Sequence, residues 1–143
     1  MTQKSTLNRE RRKGFTFEVL SRDLITRVLG TVANDRAFFF YLDVGKPTGD
    51  FAVSLSDFRG KINVVAPKSL IYHLKRGDFE NWVREVIGDL ELAERISKTK
   101  TLKATWKSDS TMRNRLHTVV GDRIAELQDL WCHAWTWPET VTA

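Results

Sequence analysis

The sequence predicts an α+β fold, mostly α-helical, in which one β-hairpin at about residues 37–54 precedes a helical bundle. Three observations lead there. Phe38-Phe39-Phe40-Tyr41-Leu42 is an aromatic run suited to a pleated surface, and Phe51-Ala52-Val53 answers it across a stretch rich in turn residues. From Ser54 onward the apolar residues recur every three or four positions, the period of a helix face. The 143 residues are 41% hydrophobic and 29% charged, a balance that supports one domain with its own core. The expected organisation is a flexible basic arm over residues 1–14, poor in apolar anchors, and a single globular domain over residues 15–143.

Taken in order, Phe15, Phe17 and Val19 alternate like a short strand. Ser21 can cap a helix carrying Leu24, Ile25, Val28 and Leu29, which Gly30 would stop. The hairpin follows, with Gly45-Lys46-Pro47-Thr48-Gly49 expected as a five-residue connection. Ser54 can cap a short helix with Leu55, Phe58 and Ile62 on one face. Pro67 can open the next helix, and Leu70, Ile71 and Leu74 give its apolar stripe up to Gly77. Asp78 is the expected cap of a helix whose inner face is Phe79, Trp82, Val83, Val86 and Ile87, ended by Gly88. Asp89 can cap another short helix, with Leu90, Leu92, Ala93 and Ile96 apolar. Residues 97–107 are polar and basic around Trp106. Ser108 or Ser110 then starts a long amphipathic helix marked by Met112, Leu116, Val119, Val120, Ile124, Leu127 and Trp131.

Charge is unevenly placed. The net charge is +5, yet residues 1–14 carry +4, residues 77–94 carry −5 and residues 95–115 carry +6. Basic clusters attract phosphate backbones or acidic protein surfaces through long-range, salt-dependent forces. The same clusters have a plainer reading, a solvated arm and a segment that pairs with the acidic stretch inside the fold. The longest apolar run, Ala37 to Leu42, is six residues, far short of the roughly 20 that span a bilayer. The polar, basic start lacks the apolar segment of a secretory signal, so a cytoplasmic protein without membrane contact is expected. One cysteine and three histidines exclude an internal disulfide and argue against a structural zinc site. No cofactor is implied.

Residues 37–97 carry a resemblance. Phe-Phe-Phe-Tyr (38–41), Gly45, Thr48-Gly49, Ala52, Ser54-Leu55 and Asp57-Phe58 lead into Ser69-Leu70, His73, Arg76-Gly77-Asp78-Phe79 and Trp82. Gly88-Asp89, Leu92-Ala93 and Arg95-Ile96 follow. This order resembles an archaeal and bacterial family of small helical domains of unknown function, with an H-x-x-R-G-D-F-x-x-W-like core. A weaker likeness reaches Arg123-Ile124-Ala125-Glu126-Leu127. The resemblance implies a mostly helical fold preceded by a hairpin, and no activity, cofactor or catalytic residue.

Candidate functional residues fall into three groups. Arg9, Arg11, Arg12 and Lys13 in the arm, with Lys98, Lys100, Lys103 and Lys107 around Trp106, are the nucleic-acid candidates, because bases attract phosphate and an exposed Trp can stack on a nucleobase. Trp131, Trp135 and Trp137 either cover the core or dock on a partner. His73, Arg76 and Asp78 form the polar cluster with catalytic potential, although capping and packing at a helix junction explain them as well. Gly45-Lys46-Pro47-Thr48-Gly49 lacks the order of a phosphate loop, and Pro47 has no N–H to offer a phosphate. The sequence therefore points to non-catalytic binding of nucleic acid or a ribonucleoprotein through segments 1–14 and 95–115. The alternative is a protein-interaction or regulatory subunit docking through the aromatic hairpin and the Trp-rich C-terminus. A small enzyme using His73, Arg76 and Asp78 is the third reading.

Overall fold

The computed structural model describes residues 22–142, with side chains as far as His133. The arm, the strand expected at Phe15, Phe17 and Val19, and the Ser21 cap lie outside the described residues. The first element is a helix over residues 22–29 (α1), which buries Ile25 and Val28 and ends at Gly30.

A short 3-10 turn, Asn34–Arg36, leads into the hairpin of β1 (Phe38–Asp43) and β2 (Lys46–Ala52). The strands are antiparallel, with Phe38 opposite Ala52, Phe39 opposite Phe51, Tyr41 opposite Pro47 and Asp43 opposite Lys46. The expected five-residue connection is corrected to a two-residue turn, Val44-Gly45. Gly45 supplies the positive φ of +71° that such a turn needs. Pro47, Thr48 and Gly49 belong to β2 instead. A proline is tolerated there because the sheet has two strands and both are edges. The register shifts between Phe39 and Tyr41, where Phe40 alone lies opposite Thr48, Gly49 and Asp50, and Gly49 sits within that irregularity at φ +90°.

Alternation along β1 turns Phe38 and Phe40 inward and Phe39 and Tyr41 outward. The inward pair enters an aromatic core. Phe38 lies 4.9 Å from Phe40, 5.8 Å from Phe58, 5.1 Å from Phe79 and 5.7 Å from Trp82, ring centre to ring centre. The Trp82 indole N–H donates to the Arg36 carbonyl at 2.9 Å, so the ring's one polar atom is paired.

The helices follow the apolar spacing. α2 (Leu55–Val64) is capped by Ser54, whose Oγ accepts from the Asp57 N–H, and Asp57 accepts in turn from the Val53 N–H. α3 (Pro67–Arg76) has Pro67 in its first turn and closes on Gly77 at φ +77°. α4 (Asp78–Trp82) runs into a π turn, Val83–Ile87, that ends at Gly88 with φ +87°. α5 (Leu90–Thr101) is capped by Asp89, which accepts from the Leu92 N–H. It extends past the short helix expected there because Thr99 is buried and anchored. The Thr99 hydroxyl donates to the Arg95 carbonyl, and the Thr99 carbonyl accepts from the buried Thr105 hydroxyl at 2.7 Å. A 3-10 turn, Lys103–Trp106, connects to α6 (Asp109–Thr142), capped by Ser108 through the Thr111 N–H.

α6 packs on α2 and α5 and buries Met112, Leu116, Val120, Ile124 and Leu127. Ion pairs reinforce the α5–α6 contact. Arg123 holds the buried Asp89 with two hydrogen bonds of 2.7 and 3.0 Å. Arg95 holds Glu126 with two of 2.9 Å. Among the described residues, no helix is long and apolar enough to cross a membrane.

Candidate nucleic-acid interface

The polar cluster sits where α3 meets α4, under the hairpin. His73 is 3% exposed, ringed by Phe38, Tyr72 and Phe79 at 4.8–5.5 Å. The Tyr41 backbone N–H donates to His73 Nε2 at 2.8 Å. Because an N–H only donates, Nε2 carries the lone pair and the proton resides on Nδ1. Nδ1–H then donates to Asp78 Oδ2 at 2.8 Å. Burial holds the imidazole below its usual range, against the opposing pull of the Asp78 carboxylate. The ring is neutral near pH 7, and both nitrogens are engaged within the fold.

Asp78 does not cap α4, contrary to the sequence expectation. Gly77, in the left-handed region, occupies the cap position and no side chain caps the helix. The carboxylate turns back to His73, and Oδ2 also accepts from Arg76 Nε at 3.2 Å. The cluster ties the α3–α4 junction to β1.

Above it lies a cleft of about 410 Å³, lined among others by Phe39, Tyr41, Tyr72, Arg76 and Asp78. Its aromatic rim is exposed. Phe39 is 48% and Tyr41 36% accessible, and Phe51, 43% accessible, lies 5.9 Å from Phe39 across the hairpin. The Arg76 guanidinium stands 5.0 Å from the centre of the Tyr72 ring. One residue earlier in α3, Lys75 places its ammonium 5.8 Å from the centre of Trp106. The Trp106 indole N–H donates to the Lys100 carbonyl at 2.9 Å, which fixes the ring while leaving it 37% exposed.

The basic segment divides. Arg95 is taken up by Glu126 and Glu91, and Arg113 donates to the Asn63 and Val65 carbonyls at the end of α2. Lys100 lies 3.8 Å from the buried Glu80. Lys98, Lys103 and Lys107 are exposed, the last two flanking Trp106 in sequence. Trp131 is half-buried against the core. Arg9, Arg11, Arg12 and Lys13, and the side chains of Trp135 and Trp137, lie outside the described residues. Among the described residues no group of His, Cys, Asp and Glu is arranged to hold a metal ion.

Sequence reasoning did not single out Tyr72 and Lys75, nor link the hairpin to Trp106. The strand alternation was an available signal, since aromatics on both faces of a strand leave one set outside. The pairing of Lys75 with Trp106 has no signal in the sequence because it depends on how α3 packs beside the turn after α5. Comparison with known proteins found no matching family model, no matching curated protein and no matching solved structure.

Proposed function

We propose that this chain is a non-catalytic binding protein for single-stranded nucleic acid, free or within a ribonucleoprotein. One observation carries the reading, two cation–ring contacts made from consecutive residues of α3 beside an aromatic-lined cleft. Trp106 touches Lys75, the next residue Arg76 covers Tyr72, and Tyr72 shares a cleft with Tyr41 and Phe39. Single strands are held by this combination, because unpaired bases stack on rings while the backbone follows positive charge. A duplex offers no free base faces to such a surface. Lys103 and Lys107, and the arm cations Arg9, Arg11, Arg12 and Lys13, add salt-dependent attraction. Cations beside the rings favour a phosphate-bearing ligand over the purely apolar docking that the exposed Phe39 and Phe51 would otherwise suggest.

The test is fluorescence anisotropy with labelled eight-nucleotide single strands and a matching duplex at several salt concentrations. Single strands should bind more tightly than the duplex. Arg76→Gln should flatten the slope of log affinity against log salt by about 0.7 per lost phosphate contact. Trp106→Ala and Tyr72→Ala should each cost about 1–3 kcal/mol of binding while leaving the slope unchanged. Duplex binding as tight as single-strand binding, or no binding below about 100 µM at low salt, a loose limit for non-specific contacts, would reject the proposal.

A further inference from the structure

We infer that the cleft between the hairpin and α3 selects a guanine base, with Asp78 reading its Watson–Crick edge. The inference rests on the single-strand reading above and adds a base preference to it. The cleft of about 410 Å³ is large enough for one base, and the exposed Phe39 and Tyr41 line it beside Tyr72, whose half-buried ring lies under Arg76. Asp78 lines the cleft with a side chain 30% exposed. Its Oδ2 is filled by His73 Nδ1–H and Arg76 Nε–H. Its Oδ1 accepts no hydrogen bond among the described residues. A carboxylate oxygen only accepts, so it favours an edge that presents donors.

Guanine alone presents two adjacent donors, N1–H and the N2 amine, along one edge. Cytosine and adenine present one amine beside a ring acceptor, and uracil sets its single N–H between two carbonyls. The electron-rich neighbours in those three bases repel the carboxylate. Arg76 completes the site. Its Nε is committed to Asp78, and its terminal nitrogens make no hydrogen bond among the described residues, so they remain open to a phosphate. The same guanidinium disfavours a cationic occupant, which an acid among aromatic rings would otherwise attract. Neutral His73 contributes no charge, and its Nε2 is already turned to the Tyr41 N–H.

The experiment uses the full chain and labelled eight-nucleotide uridine strands, with the fourth residue left as uridine or replaced by guanosine, cytidine or inosine. Inosine keeps N1–H and lacks the N2 amine. Guanosine should bind about tenfold more tightly than uridine, within the discrimination expected for one base-edge contact, with inosine between them and cytidine near uridine. In Asp78→Asn, which keeps an acceptor for His73, the ratio of guanosine to uridine affinity should fall to about one. Equal binding of all four strands to the wild type would overturn the inference while leaving the single-strand reading in place. So would a guanosine preference that survives in Asp78→Asn, or a cytidine strand that matches guanosine. Failure of every strand to bind at low salt would remove the underlying reading and the inference with it.

Discussion

Replacing His73 by alanine tests whether the cluster under the hairpin is structural. The ring is buried and sits 4.8 Å from Phe38, 5.0 Å from Tyr72 and 5.5 Å from Phe79, centre to centre. Emptying such a site removes packing and leaves a cavity, at a cost of about 2 kcal/mol, the lower end for large-to-small changes because imidazole is only partly apolar. The Tyr41 N–H also loses its acceptor and Asp78 loses a donor, which adds about 1 kcal/mol. The expected loss is therefore about 3 kcal/mol, read as a shift in the urea midpoint by tryptophan fluorescence and circular dichroism. The loss should depend on pH. His73 titrates below its usual value of 6.5 in the folded protein, chiefly because of burial. The unfolded chain takes up a proton near pH 6.5 and the folded chain only at lower pH, so the His73 contribution is fully present above 6.5 and shrinks as pH falls from there. The stability gap between wild type and variant should narrow below that point. A loss under about 1 kcal/mol, less than one orphaned donor should cost, would refute the reasoning, as would a gap that widens on acidification.

Three further outcomes are expected. Arg123→Ala should cost about 3 kcal/mol in urea unfolding at neutral pH, because it strands the buried Asp89 carboxylate without its two-pronged partner. Gly88→Ala should cost about 1–2 kcal/mol by the same measurement, since the backbone there holds φ at +87° and a new Cβ would lie 2.8 Å from the Arg27 guanidinium. Deleting residues 1–13 should weaken single-strand binding at low salt and flatten the salt slope by about 0.7 for each phosphate contact the arm makes, measured by anisotropy.

The parts of the fold that follow from local chemistry were legible in the sequence. The aromatic run announced β1, and Ser54, Asp89 and Ser108 cap the helices expected of them. The turn was misplaced because Pro47 and Gly49 look like loop residues, whereas a two-stranded sheet tolerates both in its edge strand. Asp78 looked like a cap for a similar reason. Local spacing favours that role, but His73, five residues earlier, offers the carboxylate a buried donor. The ladder from Asp89 through Arg123 and Glu126 to Arg95 joins residues more than 30 apart, and no periodicity foretells it. The candidate interface was visible only in pieces. Trp106 and the exposed lysines stood out as a basic segment and Phe39 and Tyr41 as part of a hairpin, while Lys75, Arg76 and Tyr72 connect them solely through packing.

The proposed single-strand surface runs from Trp106 across the end of α3 to the hairpin. The most direct measurement is amide and indole NMR of the full chain during titration with an eight-nucleotide uridine strand. The largest shifts should track together at the Trp106 indole, Lys75, Arg76, Tyr72, Tyr41 and Phe39, with one common dissociation constant. Shifts confined to other surfaces, such as the outer face of α6 or the α2 side, with this run unmoved, would contradict it.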